Sequence, residues 1–91
     1  MNKHILLIID NQMNPGKYNR EQLRQNASEA ADAYFDDYFA TAYAATACAA
    51  YAANAAADAT PDVVNYYIDQ YFVEAKENKQ DYIDEINRGK E

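Results

Sequence analysis

The chain opens with a five-residue apolar run, Ile5-Leu6-Leu7-Ile8-Ile9, between Lys3-His4 and Asp10. A run this short reads as a buried strand or as part of a helix. A lone strand has no partner in a chain whose remainder patterns as helix, so a short helix over about residues 3–13 is expected. Ile5, Leu6, Ile9 and Met13 then share one stripe. The alternative is a strand over residues 4–10, formed only by pairing between subunits. Asn14-Pro15-Gly16 is a turn signal, because proline presets φ and glycine accepts a positive one. Asn19 with Gln22 reads as an N-cap and its capping-box partner. From Arg20 to Ala59 there is neither glycine nor proline, which predicts one helix over residues 20–59, about 60 Å long. Neither Ser28 nor Asn54 obliges it to bend. Thr60-Pro61-Asp62 marks a new start, with a capping threonine, a proline at the first helical position and an acid at the dipole. A third helix is predicted over residues 61–76. Asn78, with Asp81 three residues on, caps a last helix over residues 79–88 that ends before Gly89.

The expected fold is therefore all-α and a single domain over residues 1–91. It is an antiparallel hairpin of one long alanine-rich helix and a shorter one, with short helices at both ends. On a helical wheel, Leu23, Ala27, Ala30, Ala31, Tyr34, Tyr38, Ala42, Ala45, Ala49, Ala52 and Ala56 fall within about 60° of one line. Val64, Tyr67, Ile68, Tyr71 and Ala75 form the matching stripe on the third helix, with Phe72 at its edge. Large side chains on one helix thus face methyl groups on the other, which favours a close approach of the axes. The opposite face of the long helix gathers Gln25, Glu29, Asp32, Asp36, Asn54 and Asp58, with Tyr43 and Tyr51, and with Phe35 and Phe39 at the margin. Tyr66 and Val73 point away from the packing stripe of the third helix. Two helices cannot cover this many aromatic side chains. The surplus predicts either terminal helices laid over the hairpin or an interface with another molecule, a setting in which tyrosine is enriched.

Composition sharpens this picture in one respect, charge. Fifteen acids and eight bases give a net charge of −7. From Gln25 to Ala75 there is no lysine or arginine, while Glu29, Asp32, Asp36, Asp37, Asp58, Asp62, Asp69 and Glu74 all lie in that window. A field of one sign steers a basic partner and argues against direct nucleic-acid binding, which needs clustered bases. Cys48 is the single cysteine, which excludes an internal disulfide framework and fits a reducing cytoplasm. The N-terminal apolar run falls short of the about 7–15 residues of a secretory signal. Tyr38 to Ala57 is uncharged and long enough to span a bilayer, yet its alanines contribute little to insertion, so no membrane segment is expected.

Candidate chemistry is sparse. Asp32 and Asp36 share a helix face about 6 Å apart and could hold a metal or exchange a proton, but carboxylate-bridged metal bundles need Glu-x-x-His motifs. There is none, and a solvated acidic face is the simpler reading. His4 has no second histidine or nearby cysteine to form a ligand set. Cys48 sits among alanines, where a thiol behaves as a small hydrophobe. Gly16 and Gly89 are too few for a phosphate-binding loop. No enzyme, cofactor or metal site is expected.

Three segments, Ile9 to Tyr18, the Ala/Tyr/Asn tract from Ala27 to Ala59, and Gln70-Tyr71-Phe72 followed by Glu77 to Ile83, together resemble small alanine- and tyrosine-rich acidic proteins of tailed bacteriophages of enterobacteria. The likeness spans most of the chain. No settled activity accompanies that group, so it assigns no functional residue. It implies a protein made in the cytoplasm of an infected bacterium, where small acidic phage proteins bind and disable host factors. The expected function is accordingly a non-catalytic interaction protein that inhibits a basic host protein. Glu29, Asp32, Asp36, Asp37, Asp58, Asp62 and Asp69 would form its acidic face, and Tyr43, Tyr51, Tyr66, Phe35 and Phe39 an aromatic partner or oligomer interface. A sharper form is nucleic-acid mimicry, with those carboxylates in place of phosphates. The alternative is a self-assembling helical scaffold, a homo-oligomer that buries its apolar N-terminus between subunits. A third reading is a sponge for a nucleotide signal in tyrosine-lined pockets.

Overall fold

The computed structural model describes residues 1–36 and 43–90. Among them the chain forms five α-helices, α1 (Lys3–Met13), α2 (Arg20–Asp36), α3 (Tyr43–Ala57), α4 (Pro61–Ala75) and α5 (Lys79–Arg88). The architecture is all-α, as the pattern predicts. Residues 4–10 lie within a helix, so the inter-subunit strand is set aside.

Local signals explain most boundaries. Asn2 caps α1, its Oδ1 accepting from the backbone N–H groups of His4 at 2.8 Å and Ile5 at 3.1 Å. Asn14 to Lys17 form a tight turn closed by the Lys17 N–H on the Asn14 carbonyl. Gly16 has φ +88° there, a value that strains any residue with a Cβ. The capping box forms reciprocally, with Gln22 N–H on Asn19 Oδ1 and Asn19 N–H on Gln22 Oε1, both at 2.8 Å. The close of α3 is a Schellman motif on a non-glycine residue. Ala59 takes φ +56°, its N–H reaches the Ala56 carbonyl, and the Thr60 N–H reaches the Ala55 carbonyl. The Thr60 hydroxyl also donates to the Ala55 carbonyl at 3.1 Å. Thr60 therefore occupies the N-cap position of α4 without capping it through its side chain. Asn78 caps α5 through the Gln80 N–H at 2.8 Å.

The predicted single helix over residues 20–59 is corrected. The molecule measures 38 Å along its longest axis, too short for a helix of about 60 Å. The Tyr34 and Tyr51 rings, 17 positions apart in sequence, lie 6.3 Å apart between centroids. Helices α2 and α3 instead pack side by side, and α4 packs along α3. Tyr38, Phe39 and Ala42, like Asp37, fall outside the described residues.

The core accounts for this layout. Ala45, Ala49, Ala50, Ala52, Ala53, Ala55 and Ala57 are all buried, so α3 is covered on most of its circumference. A helix apolar all round is a buried one, and α3 is packed by α2, α4 and α1 together. Val64, Ile68 and Tyr71 of α4 and Ala27 and Ala30 of α2 complete the seam. Ile5, Ile8 and Ile9 are at most 1% exposed. The apolar N-terminal run is thus consumed within one chain, where α1 packs on α2, α3 and α5. That removes the need to bury it between subunits.

Candidate interaction surface

Helix α4 carries two stripes by its own sequence. Val64, Ile68 and Tyr71 face the core, while Asp62, Tyr66, Asp69 and Val73, spaced i, i+4, i+7 and i+11, fall on the opposite side. All four are exposed, Tyr66 to 59% and Val73 to 66%.

A ladder of rings reaches this stripe from across the layer. Phe35 and Tyr34 of α2 meet edge-on at 5.4 Å between centroids. Tyr34 also packs on Tyr43 at 5.0 Å and on Tyr51 of α3 at 6.3 Å. Tyr51 continues to Tyr67 of α4 at 5.2 Å, and Tyr67 meets Tyr66 edge-on at 5.0 Å. The Tyr34 and Tyr43 hydroxyls are hydrogen-bonded to each other, which holds the Tyr34 phenol above its ordinary pKa. Of the five aromatic residues expected at an interface, Phe35, Tyr51 and Tyr66 are exposed and Tyr43 is half-buried. Phe39 lies outside the described residues. Tyr34 and Tyr67, read from sequence as seam residues, are the links that make the others one surface.

The described acidic residues are carried by separate elements and not by one long helix. Glu29, Asp32 and Asp36 share the outer side of α2, and all three are exposed. Glu29 accepts from Gln25 at 3.1 Å and borders a shallow hollow with Leu7 and Tyr18. Asp58 sits past the end of α3, in a hollow shared with Arg20 and Leu23, away from the Tyr34–Tyr43 end of the layer. Asp62 and Asp69 belong to the α4 stripe. Folding α2 back on α3 is what divides the group. Among the described residues, ion pairs form at Glu77, Asp10 and Glu85 and at none of these carboxylates. Several bases gather elsewhere: Lys3, Lys17 and Lys90 line a cleft between α1 and α5.

Two hydrogen-bonded acids escaped the sequence reading, Asp10, which is buried, and Glu77, which is half-buried. Asp10 accepts from Lys17 Nζ at 2.6 Å, the Tyr18 hydroxyl at 2.7 Å and Asn14 Nδ2 at 2.8 Å. Burial pushes its carboxyl up, but the bonds from Lys17, Tyr18 and Asn14 outweigh burial and hold it below the usual value. Glu77 Oε1 accepts from both the Tyr71 hydroxyl, at 2.6 Å, and the Tyr82 hydroxyl. The Tyr82 oxygen in turn accepts from the Asn2 N–H at 2.7 Å. Burial and then Glu77 drive the Tyr71 phenol far up and push Tyr82 up to about 12. The Glu77 carboxyl is held low against its burial by the two tyrosines. An acid closing an apolar run was the available signal for Asp10. For Glu77, whose partners come from α4 and α5, there was none.

His4 and Cys48 take structural positions. His4 is buried, and its Nδ1 lies 2.8 Å from Asn26 Oδ1 while Asn26 Nδ2 donates to the His4 carbonyl at 3.3 Å. An amide oxygen can only accept, so Nδ1 carries the proton. Burial, and then Glu74, push the Cys48 thiol up, which suppresses the thiolate. Among the described residues no three His, Cys, Asp or Glu side chains converge as a metal-binding group, and no helix is long and apolar enough to cross a membrane. Set against protein-family models, curated proteins and solved structures, the chain finds no match.

Proposed function

We propose that this chain is a non-catalytic interaction protein that binds and inhibits a basic host protein through the outer face of α4 and the ring ladder beside it. The observation that carries the reading is the α4 stripe. Tyr66 stands in solvent between Asp62 and Asp69, with Val73 exposed one turn further on, and the two carboxylates make no ion pair among the described residues. Exposed rings and valine gathered on one helix face and continued by the ring ladder mark an interaction surface, and the carboxylates select a basic partner for it. The resemblance to phage proteins makes that partner a host factor. Mimicry of nucleic acid is the sharper form, with the α2 row of Asp32 and Asp36 and the α4 row of Asp62 and Asp69 standing in for phosphates.

The test is expression of the tagged protein in a bacterial host, with co-purifying proteins identified by mass spectrometry before and after nuclease treatment. One basic, nuclease-insensitive partner is expected, lost when Asp62→Asn, Tyr66→Ala and Asp69→Asn are combined. A partner retained by that triple variant, or recovered only through nucleic acid, overturns the reading. Mimicry additionally requires that Asp32→Asn with Asp36→Asn weaken the complex. Self-assembly is the second reading, favoured by exposed Phe35, Tyr66 and Val73. A monomeric mass at micromolar concentration removes it.

A further inference from the structure

We infer that the α4 stripe selects arginine over lysine, and that its occupant is an extended, arginine-rich segment of the partner. The inference rests on the reading above and names the chemistry of the partner at the same site.

Three observations combine. First, Asp62 and Asp69 stand on either side of Tyr66 on one exposed helix face. The Tyr66 ring is held edge-on by Tyr67, with an interplanar angle of 83°, and remains 59% exposed. A guanidinium laid over such a ring can pair with a flanking carboxylate through two parallel N–H bonds while it stacks. An ammonium offers only a point charge and a larger hydration shell to displace. Secondly, neither α3 nor α4 contains a lysine or arginine, so no base on these helices competes for the site. Thirdly, the spacing suits an extended chain. Seven helical residues separate Asp62 from Asp69 by about 10.5 Å along the axis. Two residues three apart in a polyproline II segment lie on one side, about 9.3 Å apart. Arg-x-x-Arg can therefore address both carboxylates, with Tyr66 between them and the Tyr67–Tyr51 rings extending the stacking surface towards α3.

The experiment is fluorescence anisotropy with two labelled twelve-residue peptides, repeats of Arg-Pro-Pro and of Lys-Pro-Pro, at a fixed near-physiological salt. The arginine peptide is expected to bind roughly 10-fold tighter than the lysine peptide. Tyr66→Phe keeps the ring face and should keep the preference. Tyr66→Leu should abolish it and leave only salt-sensitive binding common to both peptides. Tyr66 is exposed, so both variants are expected to melt with the parent, and circular dichroism checks this. Equal binding of the two peptides overturns the arginine inference and leaves the basic-partner reading standing. Failure of both to bind also overturns it, whereas the basic-partner reading then stands or falls by co-purification. A preference that survives Tyr66→Leu overturns the role given to the ring.

Discussion

Glu77 joins three parts of the chain at a single oxygen. It takes hydrogen bonds from tyrosines on α4 and α5, and the Tyr82 hydroxyl passes the connection to the cap of α1. Glu77→Leu leaves those hydroxyls without their anionic acceptor and should cost about 2 kcal/mol in urea unfolding. Tyr82→Phe, which removes one hydroxyl and keeps the ring, should cost about 1 kcal/mol. The same groups set the pH dependence. Asp10 and Glu77 are held below their ordinary values in the folded chain, so their stabilisation is present above about pH 4 and disappears as pH falls through the lowered values. Tyr71 and Tyr82 are raised. Their contribution is complete below about pH 10 and is lost as pH rises towards the raised values. Thermal melts across pH should therefore show a plateau between those limits and a fall at each side. A flat acid limb in the wild type would contradict the role given to the two carboxylates.

At the scale of the elements, the boundaries carried by short-range chemistry could be read directly. Asn19 with Gln22, Asn14-Pro15-Gly16, Pro61 and Asn78 act on neighbours within a few residues, and each marks a boundary that the structure has. The break in the long alanine tract was not legible in this way, because no glycine or proline announces it. Its signal was of another kind: apart from Tyr43, Thr46, Tyr51 and Asn54, α3 is alanine and cysteine, too apolar around its circumference for one neighbouring helix to cover. Turning α2 back alongside α3 supplies the second neighbour and α1 the third. The candidate surface was half legible for the same reason. The α4 stripe follows from helical periodicity alone, whereas the ladder depends on Tyr34 reaching Tyr51, which only the fold brings together. The central position of α3 is testable. Ala52 is fully buried and Ala44 is exposed. Ala52→Leu should overpack the layer and cost about 1–3 kcal/mol, and Ala44→Leu should change stability by less than about 0.5 kcal/mol. Equal costs would mean that α3 is not enclosed as described.

Across the whole molecule, bases and acids mix near the termini, where Asp10 and Glu85 line the same cleft as three lysines, whereas α4 carries acids alone. The outer side of α2 presents acids as well. A net charge of −7 opposes close approach of two copies at low salt and favours encounter with a basic protein. Complex formation with that partner should therefore slow as salt is raised, mainly through the association rate. The most direct measurement is an NMR titration of the labelled protein with the basic partner recovered by co-purification. Shift changes should concentrate on Asp62 to Val73 and on Tyr51, and Asp69→Asn with Tyr66→Leu should abolish them. Changes concentrated instead on α1 and α5, around Lys3, Lys17 and Lys90, would contradict the account.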